Sequence, residues 1–553
     1  MSKTKAKDEI DASSDIKERR ANDKSHSLQA KASDDLYASL PRLEIFFYGA
    51  FLVWSYSTII YRFCQLSKSK ERELLQYNYI EEGWWFKRGQ DSDFEWNYWK
   101  SLMSPFFVGS IIAYIGFTRA VEFLVPKHRE TFLPIGCLTF LFMFYNWRVV
   151  AYLIVQTFVT YIVSRTRRRS LVWVTAVGQM AILNMDSLEG YLKDLIASDN
   201  IDDLVFLTAL CILKFISFSL DCCDETNIPS CTKTGRKQDS FLDLFVYTFY
   251  LPLFLIGPIL VYSKFRQQMN QPVNPWDKQK YNQCFWEALH YFGWMLGVEV
   301  FLHYSYHPSL SFDTITLKHA TYVETAGYVM CSLLYFQMKY MALYGFPRLL
   351  CLLDGLDSPK PPMCIHAMYS FKDMWRFFDR GLHVFLVRHV YIPMGGSKAG
   401  VLRQQLASIC CFAMVYYWHG GSTHVLYWAI LNWFGLTIET IGETLIKLKL
   451  SHKMPSWVSS AMQRRLVAVL RGVMYLMLAP SNIFFLAGVK VGLMVTKKTI
   501  FTSNLFHTFL SFFFYYCIVQ VLLEVYHKWG KKNICNKTYY YIGGRQENKQ
   551  KAN

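Results

Sequence analysis

LEIFFYGAFLVWSYSTIIYRF, the run from Leu43 to Phe63, contains only Glu44 and Arg62 as charged residues. An α-helix needs about 20 mostly apolar residues to cross the hydrocarbon core of a bilayer, and this run has that length. The residues from 1 to 40 are polar, mix both charge signs and lack an apolar core, so they are predicted to form a disordered cytosolic tail. The fold class of the chain therefore depends on how often this apolar pattern returns.

The pattern returns along almost the whole chain, up to Val525. A stretch of 13 to 16 apolar residues is too short to span a bilayer alone and suits a re-entrant or interfacial helix, as for Leu171–Leu183. We therefore predict an all-α, polytopic membrane protein with about 10–12 transmembrane helices plus re-entrant segments around a central cavity. The further candidate segments are Phe106–Val125, Phe132–Trp147, Val149–Val163, Leu171–Leu183, Leu204–Leu220, Phe241–Tyr262, Phe285–Leu302, Tyr322–Tyr344, Leu402–Trp418, Val425–Ile441, Leu466–Phe485 and Leu505–Val525.

Composition and charge support this class and exclude another. Hydrophobic residues make up 52% of the 553 residues and charged residues only 18%, below the roughly one quarter of a soluble domain. The net charge of +17 lies in short clusters next to apolar runs, such as Arg165 to Arg169, which is typical of cytosolic loops facing anionic lipid. We therefore predict contact with membrane lipid and no binding of nucleic acid, with one membrane domain over residues 41–528.

The C-terminal tail, residues 529–553, is basic and carries lysines three and five residues from the end of the sequence. Lys549 and Lys551 match the spacing of a dilysine signal, which a receptor reads as an address on a cytosolic C-terminus. This favours a multi-pass protein of the endoplasmic reticulum membrane, with the Golgi as the second possibility. The 14 cysteines show no metal-binding or disulfide spacing.

One stretch, Asp354 to Gly400, interrupts the apolar pattern with Pro, Gly, Arg, His and Trp. Polar or irregular backbone at membrane depth is tolerated where it lines a cavity, so the stretch is a candidate site, and an interfacial helix is the alternative. Asp379 lies here among aromatic residues, flanked at helical spacing by Arg376 and Arg380. It could form an intrahelical ion pair, or it could orient an imidazole or an incoming nucleophile.

His419 follows the apolar run Ile409–Trp418 directly and precedes Gly420 and Gly421. Ionisable residues inside membranes are rare and usually face a cavity, and imidazole is the side chain best suited to proton transfer near neutral pH. The two glycines would let a substrate approach the backbone closely. His419 is therefore the main candidate catalytic residue, and a histidine bonded to a backbone carbonyl is the structural alternative.

These motifs resemble those of the membrane-bound O-acyltransferase superfamily, in its branch of protein-cysteine N-palmitoyltransferases. The resemblance is strongest between Pro361 and Thr440, and weaker similarity covers most of the chain from about residue 40. It is carried by Ser370–His383 (SFKDMWRFFDRGLH), Arg388–Gly396 (RHVYIPMGG), Tyr417–Gly421 (YWHGG) and Leu431–Gly435 (LNWFG).

By position, the resemblance implies that His419 and Asp379 are the catalytic pair, where many relatives have Asn in place of Asp379. A catalytically dead branch of the superfamily lacks the histidine, so His419 favours an enzyme. The resemblance also implies that Cys364 ligates the iron of a haem b group, since thiolates are haem ligands. It further implies a substrate cavity lined by Trp375, Arg376, Trp418 and Asn482.

The resemblance implies transfer of palmitoyl from palmitoyl-CoA to the N-terminal cysteine amine of a secreted, Hedgehog-type signalling protein. The acyl-CoA donor would enter from the cytosol and the acceptor protein from the lumen, with His419 as the general base and Asp379 orienting the amine or the imidazole. Serine or lipid acceptors are the first alternative. A transporter or a non-catalytic regulator is the second, because buried His and Asp also suit proton-coupled carriers.

Overall fold

The computed structural model describes residues 39–184 (apart from 87, 92 and 126–128), 190, 201–224, 239–271 (apart from 255), 278–450, 458–501 and 504–529. Almost all of this part of the chain is helical. The predicted N-terminal tail, up to residue 38, lies outside it, as do residues 530–553 with the dilysine motif at Lys549 and Lys551.

The described residues form nineteen α-helices and one small antiparallel pair of strands. In the strand pair, Glu81 lies opposite Gln90 and Glu82 opposite Gly89. The elements are α1 (Arg42–Gln76), β1 (Glu81–Glu82), β2 (Gly89–Gln90), α2 (Phe94–Leu102), α3 (Pro105–Leu124), α4 (Arg129–Phe144), α5 (Trp147–Arg165), α6 (Arg169–Leu183), α7 (Ile201–Cys223), α8 (Phe241–Phe249), α9 (Tyr262–Met269), α10 (Lys278–Leu302), α11 (His307–Phe312), α12 (Thr314–His319), α13 (Tyr322–Leu353), α14 (Phe371–Phe377), α15 (Arg380–Leu386), α16 (Val401–Trp418), α17 (Thr423–Leu450), α18 (Ser460–Thr499) and α19 (Leu505–Trp529).

Six of the described helices are long and apolar enough to cross a membrane, judged by length and composition. They are α1, α3, α5, α7, α18 and α19. Four others, α10, α13, α16 and α17, have 18 or more residues but are more polar. The predicted all-α, multi-pass membrane fold is confirmed.

The candidate span Phe241–Tyr262 was wrong as a single helix. The α-helix ends at Phe249, and a 3₁₀ turn at Leu251–Leu253 precedes a non-helical stretch that ends where α9 begins at Tyr262. Pro252 and Pro258 explain the break, because proline removes an amide donor and clashes with the preceding turn. The interruption places irregular backbone inside the protein, where Ile256, Ile259 and Leu260 are buried.

Two groups of residues form compact units. The larger unit contains residues 58–438 and 477–503 and holds the aromatic-rich core together with every candidate site residue. The smaller unit contains residues up to 57, 439–476 and 504–553. Within the smaller unit, Arg464 is fully buried and bonds the Glu524 carboxylate at 2.7 Å and the Gln520 carbonyl at 2.8 Å, so α18 and α19 share a satisfied buried charge.

The predicted site stretch between Asp354 and Gly400 folds as short helices in the larger unit. Helices α14 and α15 are followed by a π-helical turn at Val387–Tyr391. Phe377 and Phe385 are buried, and Gly381 lies so close to the backbone of Ile259 that a β-carbon would clash with it. The stretch is therefore packed inside the unit, which favours the cavity-lining interpretation over a helix lying on the bilayer surface.

Candidate functional site

His419 occupies the C-cap position of α16, where the helix ends in a turn built by glycine. Gly420 has a φ of 91° and Gly421 a φ of 64°, conformations that side chains with a β-carbon seldom adopt. The Tyr416 hydroxyl donates a hydrogen bond of 2.6 Å to the Gly421 carbonyl and fixes this turn. Gly420 and Gly421, from which we predicted close approach of a substrate, therefore form the tight turn that ends α16 at His419.

The imidazole of His419 lies in an aromatic enclosure. Its ring centroid is 4.6 Å from that of Trp418, 5.1 Å from that of Phe485 and 6.4 Å from that of Trp428, all in edge-to-face geometry. Among the described residues, no side chain or carbonyl hydrogen-bonds to its ring nitrogens. The structural alternative for His419, a histidine tied to a carbonyl, is not what this geometry shows.

Burial lowers the pKa of His419 to about 4, because the surrounding protein penalises the charged imidazolium. Part of the side chain nevertheless remains accessible. A neutral imidazole that is enclosed by protein, keeps an accessible face and has free ring nitrogens is suited to accept a proton from a bound substrate.

Trp375 and Asn482 join the same cluster through Trp428. The Trp375 ring packs 5.4 Å from that of Trp428 and 4.6 Å from that of Phe412. The Asn482 amide oxygen accepts a hydrogen bond of 3.1 Å from the Trp428 indole, and its amide nitrogen donates to the Leu478 carbonyl at 2.9 Å. Trp375 and Asn482, which are far apart in sequence, thus both contact Trp428, and Trp428 in turn contacts His419.

The indole nitrogen of Trp375 is buried and has no hydrogen-bond partner among the described residues. The indole nitrogen of Trp418, in contrast, donates to the Ala209 carbonyl at 2.9 Å and anchors the end of α16 on α7. Of these two tryptophans, Trp375 retains an unused donor, and Trp418 has a structural bond in addition to its ring contact with His419.

Asp379 lies between α14 and α15 and caps the N-terminus of α15. Its Oδ1 accepts the backbone N–H of Leu382 at 2.8 Å, and its Oδ2 accepts the hydroxyl of Tyr344 at 2.8 Å. Burial raises the pKa of the Asp379 carboxyl, whereas these hydrogen bonds act in the opposite direction. Among the residues that the structure describes, Asp379 forms no ion pair with an arginine, so the intrahelical pair with Arg376 or Arg380 is not observed.

Asp379 and His419 make no direct hydrogen bond. A chain of ring contacts joins their surroundings: Phe485, which touches His419, lies 6.2 Å from Phe336, and Phe336 stacks on Phe378 at 5.0 Å. The two candidate catalytic groups therefore border one aromatic wall, contributed by α13, α14, α16 and α18.

Arg376 and Cys364 are the two remaining predicted site residues. The Arg376 guanidinium lies 5.9 Å above the ring of its neighbour Phe377. Cys364 precedes a short 3₁₀ turn and is exposed, although the loop is tied down by a hydrogen bond from Ile365 N–H to the Gln337 side chain at 3.0 Å.

A haem held by Cys364 would need apolar side chains against the faces of its macrocycle. More than a third of the Cys364 residue surface is exposed, so its sulfur is reachable but not enclosed by protein. A reachable thiolate can hold haem iron, so Cys364 would be the axial donor, and we derive no step through haem.

The structure also adds residues that sequence reasoning missed. Tyr344 bonds to Asp379, and Trp428 and Phe485 form the wall beside His419. Each lies inside a predicted apolar span, where an aromatic residue is indistinguishable from ordinary core. Tyr344 and Phe485 each end a candidate span, Tyr322–Tyr344 and Leu466–Phe485, and this position was the sequence signal available for them.

A family model matches residues 232–489 of the chain, the model of MBOAT, the membrane-bound O-acyltransferase family. This range contains every residue of the aromatic cluster around His419, as well as Asp379 and Cys364.

Three animal proteins are similar over most of the chain. The mouse (Mus musculus) protein-cysteine N-palmitoyltransferase HHAT is 31% identical over 78% of this chain and 88% of its own length. A mouse protein-cysteine N-palmitoyltransferase HHAT-like protein is 26% identical over 80% of this chain and 87% of its own length. The Drosophila melanogaster protein-cysteine N-palmitoyltransferase Rasp is 26% identical over 63% and 68% respectively.

Proposed function

The chain belongs to the membrane-bound O-acyltransferase family, and we propose that it transfers palmitoyl from palmitoyl-CoA to the N-terminal cysteine amine of a secreted, Hedgehog-type signalling protein. Acyl transfer is what the family and the mouse relative support. The palmitoyl group and the cysteine amine acceptor are proposed from the names of HHAT and Rasp, both protein-cysteine N-palmitoyltransferases, and from the chemistry of the site. The endoplasmic reticulum membrane is proposed from the spacing of Lys549 and Lys551.

The observation that carries the proposal is the state of His419. Its ring nitrogens have no partner among the described residues, burial lowers its pKa to about 4, and aromatic rings surround it on several sides. A purely structural histidine would be expected to use its nitrogens in hydrogen bonds with the protein, as His303 does with the Glu299 carbonyl and His307 with the Ser305 hydroxyl. Leaving them unused favours a role in binding or chemistry.

In the proposed reaction the amine nitrogen attacks the thioester carbonyl carbon and forms a new C–N bond. His419 accepts the proton that the nitrogen must lose, the C–S bond breaks, and the proton passes to the departing CoA sulfur. The products are an amide and CoA-SH, so the imidazole ends neutral as it began. A free α-amino group has a pKa of about 7.7–8.0, so a part of the acceptor is already nucleophilic at neutral pH.

Asp379 is proposed to hold the amine as positive charge develops on its nitrogen. A carboxylate beside the attacking nitrogen stabilises that charge, and its own orientation is fixed by the Leu382 N–H and the Tyr344 hydroxyl. Because Asp379 makes no hydrogen bond to His419, orienting the amine is favoured over orienting the imidazole.

The acyl chain is proposed to lie along the wall that contains Trp375 and Phe485. Each methylene removed from water contributes about 0.8 kcal/mol, so an apolar wall of this kind can retain a long-chain donor. The unused indole N–H of Trp375 is available to the thioester carbonyl or another acceptor of the donor. Arg376 and Asn482 are proposed as further cavity residues.

An acylation assay tests the proposal directly. The purified protein is incubated with labelled palmitoyl-CoA and with matched peptides that begin in Cys, in Ser or in N-acetylated Cys. Amide-linked, hydroxylamine-resistant label on the Cys peptide alone is expected. Label confined to the Ser peptide or to added lipid would keep acyl transfer but replace the acceptor. No label on any acceptor would favour a transporter or a non-catalytic regulator.

The haem prediction stays a prediction. Cys364 is its proposed ligand, and the absorbance spectrum of the purified protein, compared with that of a Cys364→Ala variant, tests it. A Soret band that disappears in the variant is expected if the prediction is correct.

A further inference from the structure

Tyr344 is the only side chain that hydrogen-bonds to Asp379 among the described residues. The phenol donates to Oδ2 at 2.8 Å, and the other carboxylate oxygen accepts the Leu382 N–H at 2.8 Å. The two donors come from different elements, the middle of α13 and the first turn of α15. Together they fix the plane of the carboxylate as well as its position.

The Tyr344 ring is itself held in place. It packs edge-to-face on Tyr340 at 5.1 Å, and the Tyr340 ring lies 4.8 Å from Phe336 and 5.7 Å from Phe378. These rings belong to the same wall that reaches His419 through Phe485. A rotation of Tyr344 away from Asp379 would require repacking of that wall.

A buried ion cluster one turn earlier immobilises this part of α13. Lys339 is buried and pairs with Asp93 at 2.9 Å and Glu95 at 2.8 Å, and the Tyr340 hydroxyl donates to Glu95 at 2.9 Å. Breaking such a buried pair is costly because it leaves an uncompensated charge. The helix that carries Tyr344 is therefore anchored to the first turn of α2.

We propose that Tyr344 is a positioning residue for the acyl transfer, holding the Asp379 carboxylate towards the attacking amine. The inference rests on the proposed function, in which Asp379 stabilises the developing positive charge. A carboxylate that can rotate would spend part of its time turned away from the amine. The transition state, in which positive charge develops on the nitrogen, would then lose more electrostatic stabilisation than the ground state.

The test compares Tyr344→Phe with Tyr335→Phe, using labelled palmitoyl-CoA and a Cys-initial peptide. Both variants lose one hydroxyl from α13, but only the first loses a hydrogen bond to Asp379, because the Tyr335 hydroxyl has no hydrogen-bond partner among the described residues. Tyr344→Phe is expected to lower kcat by about 10- to 100-fold with little change in KM for palmitoyl-CoA, the effect of one hydrogen bond to a charged group. Tyr335→Phe is expected to stay within about threefold of the wild type. Thermal unfolding of both variants checks that folding is retained.

A double variant separates positioning from a merely structural role. If Tyr344 acts through Asp379, Tyr344→Phe should have a much smaller effect in the Asp379→Asn background than in the wild type, because the carboxylate it positions is gone. Equal effects in both backgrounds, or a wild-type kcat for Tyr344→Phe, would overturn the inference while leaving acyl transfer intact. Full activity of Asp379→Asn and His419→Ala would instead overturn the proposed function.

Discussion

The two candidate catalytic groups differ in how completely the protein uses them. Asp379 is satisfied: both oxygens accept hydrogen bonds, and the residue caps α15. The imidazole of His419 contacts three aromatic rings and has no hydrogen-bond partner among the described residues. One group combines structural and functional roles, and the other is held by packing alone. Substitutions at His419 should therefore change activity with little effect on stability, whereas at Asp379 the effect on stability should depend on whether the new side chain can still cap α15.

The largest effect is expected for His419→Ala. Loss of a general base typically costs about 10²- to 10⁴-fold, and we expect a decrease in kcat of this size with normal folding. His424→Ala is the matched control, because His424 lies nearby on α17 and bonds only to Ser422 among the described residues, at 3.5 Å. Acyl-transfer rates and thermal unfolding of both variants measure the contrast. Retained activity in His419→Ala would remove the proposed base.

The next effect concerns Asp379 and uses two substitutions. Asp379→Asn retains a good N-cap residue but loses the charge, so activity should fall about 10- to 100-fold while stability is nearly unchanged. Asp379→Ala also loses the cap and should destabilise the protein by about 1 kcal/mol in addition. Thermal unfolding midpoints and acyl-transfer rates of both variants test whether the charge and the helix cap contribute separately. Equal unfolding midpoints for the two variants would show that the cap contributes nothing.

A smaller effect is expected for Trp375, which borders the aromatic wall. Trp375→Ala removes ring contacts to Phe412 and Trp428, and KM for palmitoyl-CoA should rise several-fold with a smaller change in kcat. Trp375→Phe keeps a ring but removes the indole N–H, so KM should rise less than in Trp375→Ala, by the loss of the proposed bond to the donor alone. A wild-type KM in Trp375→Phe would contradict that bond.

The smallest effect is a dependence on pH that His419 does not set. The folded pKa of His419 is lowered to about 4, so the imidazole stays neutral throughout the range from pH 5 to pH 8. The rate should rise with pH through the amine pKa of the acceptor, about 7.7–8.0, and acceptors with lower amine pKa should shift the curve downwards. If the acyl-transfer rate instead changed with an apparent pKa near 6.5 that was the same for every acceptor, this result would contradict the buried, neutral histidine.

The same lowered pKa has a consequence for stability. The unfolded chain binds a proton at His419 below about pH 6.5, whereas the folded protein resists it until about pH 4, so the contribution of this group becomes more unfavourable as pH falls between those values. His419→Ala should therefore lose less stability than the wild type over that interval. Unfolding midpoints of both proteins between pH 4 and pH 7 test whether the wild type loses more stability than His419→Ala as the pH falls.

The candidate site was predictable in part because its motifs are local. His419 with its two glycines, and Asp379 within its aromatic run, stand out against apolar surroundings in a single sequence. Tyr344, Trp428 and Phe485 do not, because aromatic residues inside apolar helices are ordinary core residues until their neighbours are known. The break in Phe241–Tyr262 was missed because the span was predicted from hydropathy, which does not show that a residue lacks a backbone N–H. Pro252 and Pro258 lack this donor and signal the break.

The amino-acid sequence by itself determined the all-α membrane class, the polar interruption between Asp354 and Gly400 and the two ionisable residues in question. These follow from composition and short-range pattern, because apolar length and local propensity act over a few turns of chain. Only the tertiary structure decided that Asp379 bonds to Tyr344 rather than to an arginine, and that the ring nitrogens of His419 are left without a partner. The hydrogen-bond donors that reach a buried group are set by the packing of helices whose residues lie far apart in sequence. The local pattern of apolar and polar residues does not encode this packing.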